Sequence, residues 1–459
     1  MKKLVLVISY WLLVAGVNAQ TAAQKIQTAF RQFEDDPQLK NALSSLYVID
    51  AATGEVVFDK NSQVGLAGAS TQKIVTAATA FELLGKDFRY KTELGYFGKL
   101  KHDTLDGWLS ILGTGDPTFG SWRYGSTKDS VILYKWSDAL KSSGITKVRG
   151  YITYDTRRFT SQTIPDGWIW QDIGNYYGAP ADVLNWRENQ VDIILRSGNV
   201  VGGPVEIVSP NWGFINELKS AAKGTGDNAY VYKNYVIAGT IPIGESSFKI
   251  TASYPDAIPD FIRELGEFFV SKGIRGNGLT ALGIRYPYYD SLKDPFQLIN
   301  AHYSPSLDSI TYWFLKKSVN LYGEALVKTF AYERQGFGST DSGVAIVRKF
   351  WKEKGIDENE LNIYDGSGLS PLNRLTTHAQ VEILKFAKTR DWFPYFYDAL
   401  PEFNGMKMKS GTISDVKGFC GYQKSKDGHE YIFSFLINNY NGRTSEVVSK
   451  MYKVLDILK

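Results

Sequence analysis

A serine hydroxyl is a weak nucleophile at neutral pH and needs a base beside it. A lysine can be that base when burial or neighbouring positive charge keeps its amine neutral. Ala69-Ser70-Thr71-Gln72-Lys73 carries such a pair at the head of an apolar helical run. The three-residue spacing puts both side chains on one helix face, within reach of each other. A helix start also offers free backbone N–H groups to a developing oxyanion. The spacing alone says little. It recurs at Ser220-Ala221-Ala222-Lys223, read as an exposed helix end before Gly224, and at Ser414-Asp415-Val416-Lys417, read as strand. Taken alone, Ser70 is equally well read as a plain N-cap.

Two further groups of residues add weight. Ser318-Val319-Asn320 lies between two helix-like segments, Ile310 to Leu315 and Leu321 to Leu326. Polar side chains pinned between apolar helices need a reason. Lys409-Ser410-Gly411-Thr412 begins a strand-like run, where glycine lets another backbone or a ligand approach closely.

The elements that must position these groups come from both ends of the chain. Ile26, Phe30 and Phe33 recur at helical spacing. Leu46 to Ile49 and Val56 to Phe58 flank Ala52-Thr53-Gly54-Glu55 as a hairpin, and a helix runs from about Ser70 to Leu84, stopped by Gly85. Strands are expected over Ile413 to Tyr422 and Tyr431 to Ile437, and a last helix over Glu446 to Leu458. This predicts an α+β domain assembled from both termini, an antiparallel sheet flanked by helices. The middle, from about Tyr90 to Asp294, reads as inserted, mostly β material with one helix from Ile258 to Val270.

Composition excludes other classes. The chain has 459 residues, 43% hydrophobic and 22% charged, enough for two or three domains. A net charge of +4 with no basic run gives no case for a nucleic-acid partner. His102, His302, His378 and His429 lack metal-ligand spacing, so no metal or cofactor is expected. No G-x-S-x-G elbow supports a Ser-His-Asp hydrolase. The single cysteine, Cys420, sits in an apolar strand-like run and reads as a small buried hydrophobe. Asp365-Gly366-Ser367-Gly368 lacks the lysine of a phosphate loop and reads as a structural turn near a cleft. Met1-Lys2-Lys3, an apolar stretch from Leu4 to Val17, and Val17-Asn18-Ala19 predict a signal peptide over residues 1–19, and hence export. No later apolar run is long enough for a transmembrane anchor.

The ordered set S-x-x-K, S-x-N, K-[ST]-G resembles the penicillin-binding protein and serine β-lactamase signature. More than half of the chain lies between Lys73 and Ser318. An insertion of that size resembles the class C (type 4) low-molecular-mass penicillin-binding proteins, the D-alanyl-D-alanine carboxypeptidase and endopeptidase family. Gly113-Thr114-Gly115-Asp116-Pro117-Thr118, Tyr177-Gly178-Ala179-Pro180, Ser304-Pro305-Ser306-Leu307 and Asp365 to Ser370 also look like family segments. The resemblance implies acylation of Ser70, proton removal by Lys73 and proton relay to the leaving group by Ser318. It implies substrate contacts from Asn320, Lys409, Ser410, Gly411 and Thr412, with the backbone N–H groups of Ser70 and Thr412 as oxyanion hole. The implied partners are peptidoglycan stem peptides, with β-lactams as covalent inhibitors. Ser410 stands where threonine is commoner, and Val319 where aspartate is; both leave the catalytic groups in place.

The resemblance further implies a catalytic domain of residues 20–89 and 295–459, an inserted domain II of 90–123 and 185–294, and within it a domain III of 124–184. Asp172, with Trp168, Trp170, Tyr176 and Tyr177, is the expected receiver of a cationic stem-peptide side chain. A serine β-lactamase and a non-catalytic wall-binding or β-lactam-sensing protein are the alternatives.

Overall fold

A computed structural model describes residues 21–459 except 211–212, 233–234, 255–256, 281–283 and 286–294. The expected signal peptide lies outside the described residues.

The two ends of the chain build one antiparallel sheet. In spatial order its strands are Glu402–Phe403, Met406–Ile413, Val416–Lys424, Glu430–Asn438, Leu43–Asp50 and Val56–Lys60. The first and last parts meet where Leu43–Asp50 pairs with Glu430–Asn438 over its whole length. Strand Glu430–Asn438 is buried on both faces, so it reads as a continuous apolar run rather than an alternation. Tyr431, Phe433, Phe435 and Ile437 pack with Ile26, Phe30, Phe33, Val447 and Met451 of the terminal helices Ala22–Glu34 and Thr444–Leu455. Ile432 faces the opposite layer, with Ile74, Leu326 and Leu384. That layer consists chiefly of helices Lys73–Leu84, Leu307–Lys316, Asn320–Gln335, Thr340–Glu353 and Thr377–Lys388.

The expected single strand from Ile413 to Tyr422 is two strands. They turn at Ser414-Asp415, with Asp415 at φ 54°. The Lys-Ser-Gly segment therefore sits inside the strand Met406–Ile413 and does not begin it. Ser220-Ala221-Ala222-Lys223 is not a helix end: Ile215–Ala221 is a strand paired in parallel with Val236–Pro242.

The insertion is closed by its own ends. Its entering strand, Lys91–Lys101, pairs antiparallel with the returning strand, Gln297–Tyr303. The insert sheet thus runs past position 294, where the catalytic part was expected to resume. Ile152–Asp155 joins the same sheet beside Thr104–Leu112. Helices Asp129–Ser142 and Ala257–Ser271 cover it, with Trp136 and Phe261 in a common apolar cluster. Within the stretch 124–184, expected as a separate unit, Ile152–Asp155 and the helix Asp129–Ser142 share the sheet and core of 90–123, while Trp168 and Ile173 pack with Leu369. The segment with a core of its own is 191–252, with Ile193, Leu195, Leu218, Ile237 and Ile250. The helix Asp129–Ser142 was not expected in a mostly β insert; Ile132, Trp136 and Leu140 mark its buried face.

Candidate active site

The nucleophile segment is a 3₁₀ turn, Ala69–Gln72, running into the helix Lys73–Leu84. Ala69 is held at φ 45°, a left-handed conformation unusual for a residue with a side chain. The turn is tied from below. Ser434 Oγ donates to Gln380 Oε1 at 2.6 Å, Gln380 Nε2 donates to Thr71 Oγ1 at 2.9 Å, and Thr71 Oγ1 donates to Gly68 O at 2.7 Å.

Lys73 is fully buried. Its Nζ lies 2.9 Å from Ser70 Oγ, 2.6 Å from Asn320 Oδ1 and 2.7 Å from Ser367 O. The last two are pure acceptors. A neutral amine gives them its two N–H groups, leaving its lone pair for the Ser70 hydroxyl. Burial, and after it the charge of Lys409, holds Lys73 well below the usual lysine range, which favours that neutral form.

Asn320 opens the helix Asn320–Gln335, and its Nδ2 donates to Tyr177 O at 2.8 Å. One amide N–H is left for a ligand. Ser318 stands just before this helix at φ 58°, another left-handed position. Strain of this kind costs about 1–3 kcal/mol and collects at functional sites.

Strand Met406–Ile413 passes directly over the nucleophile turn. A Cβ on Gly411 would lie 2.4 Å from Gly68 O and 3.0 Å from Ser70 N. Only glycine allows this approach, which brings the Ser70 and Thr412 main chains together. Lys409 is buried, with its Nζ on Ser410 O at 2.7 Å, and burial pushes it down to about 7.

Ser70, Ser318, Asn320 and Thr412 line one cleft of about 540 Å³ with Arg123, Ile169, Asp172, Tyr176 and Tyr177. Asp172 therefore faces the same cleft as Ser70. Tyr177 Oη donates to its Oδ1 at a long 3.4 Å, and burial raises its carboxyl above the ordinary range. Trp168 lies outside this lining. Its Nε1 donates to Asp365 Oδ2 at 2.9 Å. Asp365 also accepts from Gln72 Nε2, Gly368 N, Ser370 N and Asn373 Nδ2, so the turn expected near the cleft is a hydrogen-bonded hub.

The D-Ala-D-Ala carboxypeptidase 3 (S13) family matches residues 26–402 of this chain. The chain belongs to that family. It is a peptidase, a D-alanyl-D-alanine carboxypeptidase by family. Relatives agree along most of its length. A D-alanyl-D-alanine carboxypeptidase of Actinomadura is 27% identical, covering 89% of this chain and 80% of the relative. One of Haemophilus influenzae is 25% identical, covering 86% and 85%. The fold is that of penicillin-binding protein 4 of Haemophilus influenzae, with a TM-score of 0.78 at 20% identity over 94% of this chain and 98% of that one.

Several residues around this carboxypeptidase cleft escaped sequence reading. Glu324 follows Asn320 by one helical turn, a spacing that could have flagged it. It is buried, accepts from Gly366 N at 3.1 Å, and burial with the nearby Asp365 charge raises it to about 8. Arg123, in the cleft wall, donates to Glu188 from Nε at 2.8 Å, and Tyr322 Oη donates to the same carboxylate at 2.8 Å. These partners are far apart in sequence, so no local pattern joins them. Lys417, read only as part of a strand, lies 2.7 Å from Thr412 Oγ1. Cys420 is fully buried, its thiol pushed up to about 12, as expected of a core residue. His302 packs edge-on against Phe119 in the insert core and is pushed down to about 4 by burial. Among the described residues no group of three or more His, Cys, Asp or Glu could hold a metal ion, and no helix is long and apolar enough to cross a membrane.

Proposed function

We propose that this enzyme cleaves the terminal D-alanyl-D-alanine bond of peptidoglycan stem peptides through an acyl-enzyme on Ser70. The observation that carries the reading is the Lys73 amine, buried, held by two pure acceptors and 2.9 Å from Ser70 Oγ. As Ser70 Oγ bonds to the scissile carbonyl carbon, its proton passes to Lys73 Nζ. The carbonyl oxygen takes the negative charge between the Ser70 and Thr412 N–H groups. The C–N bond then breaks, and Ser318 hands a proton to the departing amine, recharged from Lys73. Water completes hydrolysis; an amine in its place completes transpeptidation. Asn320 orients the substrate amide with its remaining N–H, and Lys409 and Thr412 attract the carboxylate. A β-lactam enters by the same attack and stays as the acyl adduct.

Asp172 is proposed to receive the cationic side chain of the stem peptide. Its place in the Ser70 cleft supports this. Asp172→Ala should slow hydrolysis of diaminopimelate-containing peptides while leaving penicillin acylation intact; unchanged hydrolysis would remove the assignment. The charged and apolar pattern of residues 1–19 supports export to the periplasm or wall space.

The test is the intact mass of the mature protein after benzylpenicillin, for wild type and Ser70→Ala. One drug adduct on wild type alone is expected. Intact drug with no adduct overturns the reading, and hydrolysed drug without adduct makes the protein a β-lactamase.

A further inference from the structure

The hairpin that carries Lys409 also carries Lys417, a buried lysine hydrogen-bonded to the cleft residue Thr412. Thr412 and Lys417 are register partners on the strands Met406–Ile413 and Val416–Lys424, so their side chains leave the sheet on the same face. Lys417 Nζ donates to Thr412 Oγ1 at 2.7 Å and lies 4.8 Å from the Phe419 ring. Thr412 is exposed in the cleft beside Ser70, whereas Lys417 is only 8% exposed. Among the described residues no carboxylate comes within 4.0 Å of Lys417, Lys409 or Lys73, although the surface lysines Lys91, Lys249, Lys352 and Lys450 each find one.

A buried ammonium without a counter-ion is costly, and an arriving anion relieves the cost. Burial alone holds Lys417 down to about 8. Its one neutral acceptor, the Thr412 hydroxyl, is itself a donor, free to pass a hydrogen bond on towards the cleft. We infer that Lys417, acting with the Thr412 hydroxyl, binds the carboxylate of the residue released on cleavage and makes the enzyme selective for a free acid there. This rests on the acylation of Ser70 proposed above. Lys409 lies buried with its Nζ on Ser410 O, and Lys417 adds a second cation that reaches the carboxylate through Thr412.

The test is a ratio of kcat/KM values on one enzyme preparation: an N-acylated D-Ala-D-Ala peptide against the same peptide with its C-terminus amidated. Both substrates see the same folded fraction, so partial misfolding cancels. Wild type should strongly prefer the acid. Lys417→Gln should reduce that preference by about tenfold or more, and Lys417→Arg should keep it within about threefold. An unchanged preference in Lys417→Gln overturns the role of Lys417. Wild type that cleaves neither peptide and takes no penicillin adduct overturns the Ser70 reading, and this inference with it.

Discussion

Trp168 and Asp365 are joined by a 2.9 Å hydrogen bond from the indole Nε1 to the carboxylate Oδ2. One residue belongs to the insertion, the other to the loop behind the nucleophile helix. The same carboxylate holds Gln72, next in the chain to Lys73. Trp168→Phe keeps the apolar contact with Ile173 and Leu369 but withdraws a donor from a buried carboxylate. We expect a loss of about 1–3 kcal/mol in stability. Urea unfolding checks it, and an unchanged midpoint would show that the bond contributes nothing.

Gly411 is the contact between strand and nucleophile turn. A methyl there meets Gly68 O, Thr71 N and Ser70 N, all main-chain atoms that cannot swing aside. Gly411→Ala should cut the rate of penicillin acylation at least about a hundredfold, and cost about 1–3 kcal/mol by overpacking. Gly125→Ala, where nothing lies within 4 Å, is the control and should be neutral in both assays.

Lys73 must be neutral to accept a proton. Its value sits below 10.5, first through burial and then through the charge of Lys409. Acylation should therefore rise with pH through the Lys73 value. Lys409→Met removes the repelling charge, so the rising limb should move to higher pH. Lys73→Arg, permanently charged, should lose about 10²–10⁴-fold. A rate profile for Ser70 acylation across pH checks both; a limb that stays in place in Lys409→Met would separate it from Lys73.

Lys409 should weaken the fold it serves. Its value falls from 10.5 to about 7 on folding, so the unfolded chain binds more protons between those limits and stability rises with pH across them. Lys409→Met removes the buried cation and should gain about 1–3 kcal/mol at pH 7. The gain should shrink as pH approaches 10. Thermal melts at pH 7 and 10 measure it, and a loss at pH 7 would show that the hydrogen bond to Ser410 O outweighs desolvation.

The sequence by itself determined the local chemistry. Ser70 and Lys73 are three apart on a helical run that Gly85 ends, and the apolar spacing of Ile26, Phe30 and Phe33 marks the first helix. Such features are legible because helix and strand periods are short. It also indicated that both ends build one sheet, and that Asp365 to Gly368 is a turn by a cleft. Tertiary structure decided what depends on contacts far apart in the chain. The acceptors that hold the Lys73 amine, Asn320 Oδ1 and Ser367 O, lie more than two hundred positions away. The turn at Ser414-Asp415, hidden in an unbroken strand-like run, puts Lys417 opposite Thr412. The pairing of Ile152–Asp155 with Thr104–Leu112 joins in one sheet segments that the resemblance had placed in separate domains. Charge, burial and strand pairing are properties of what surrounds a residue, and only the folded chain supplies those surroundings.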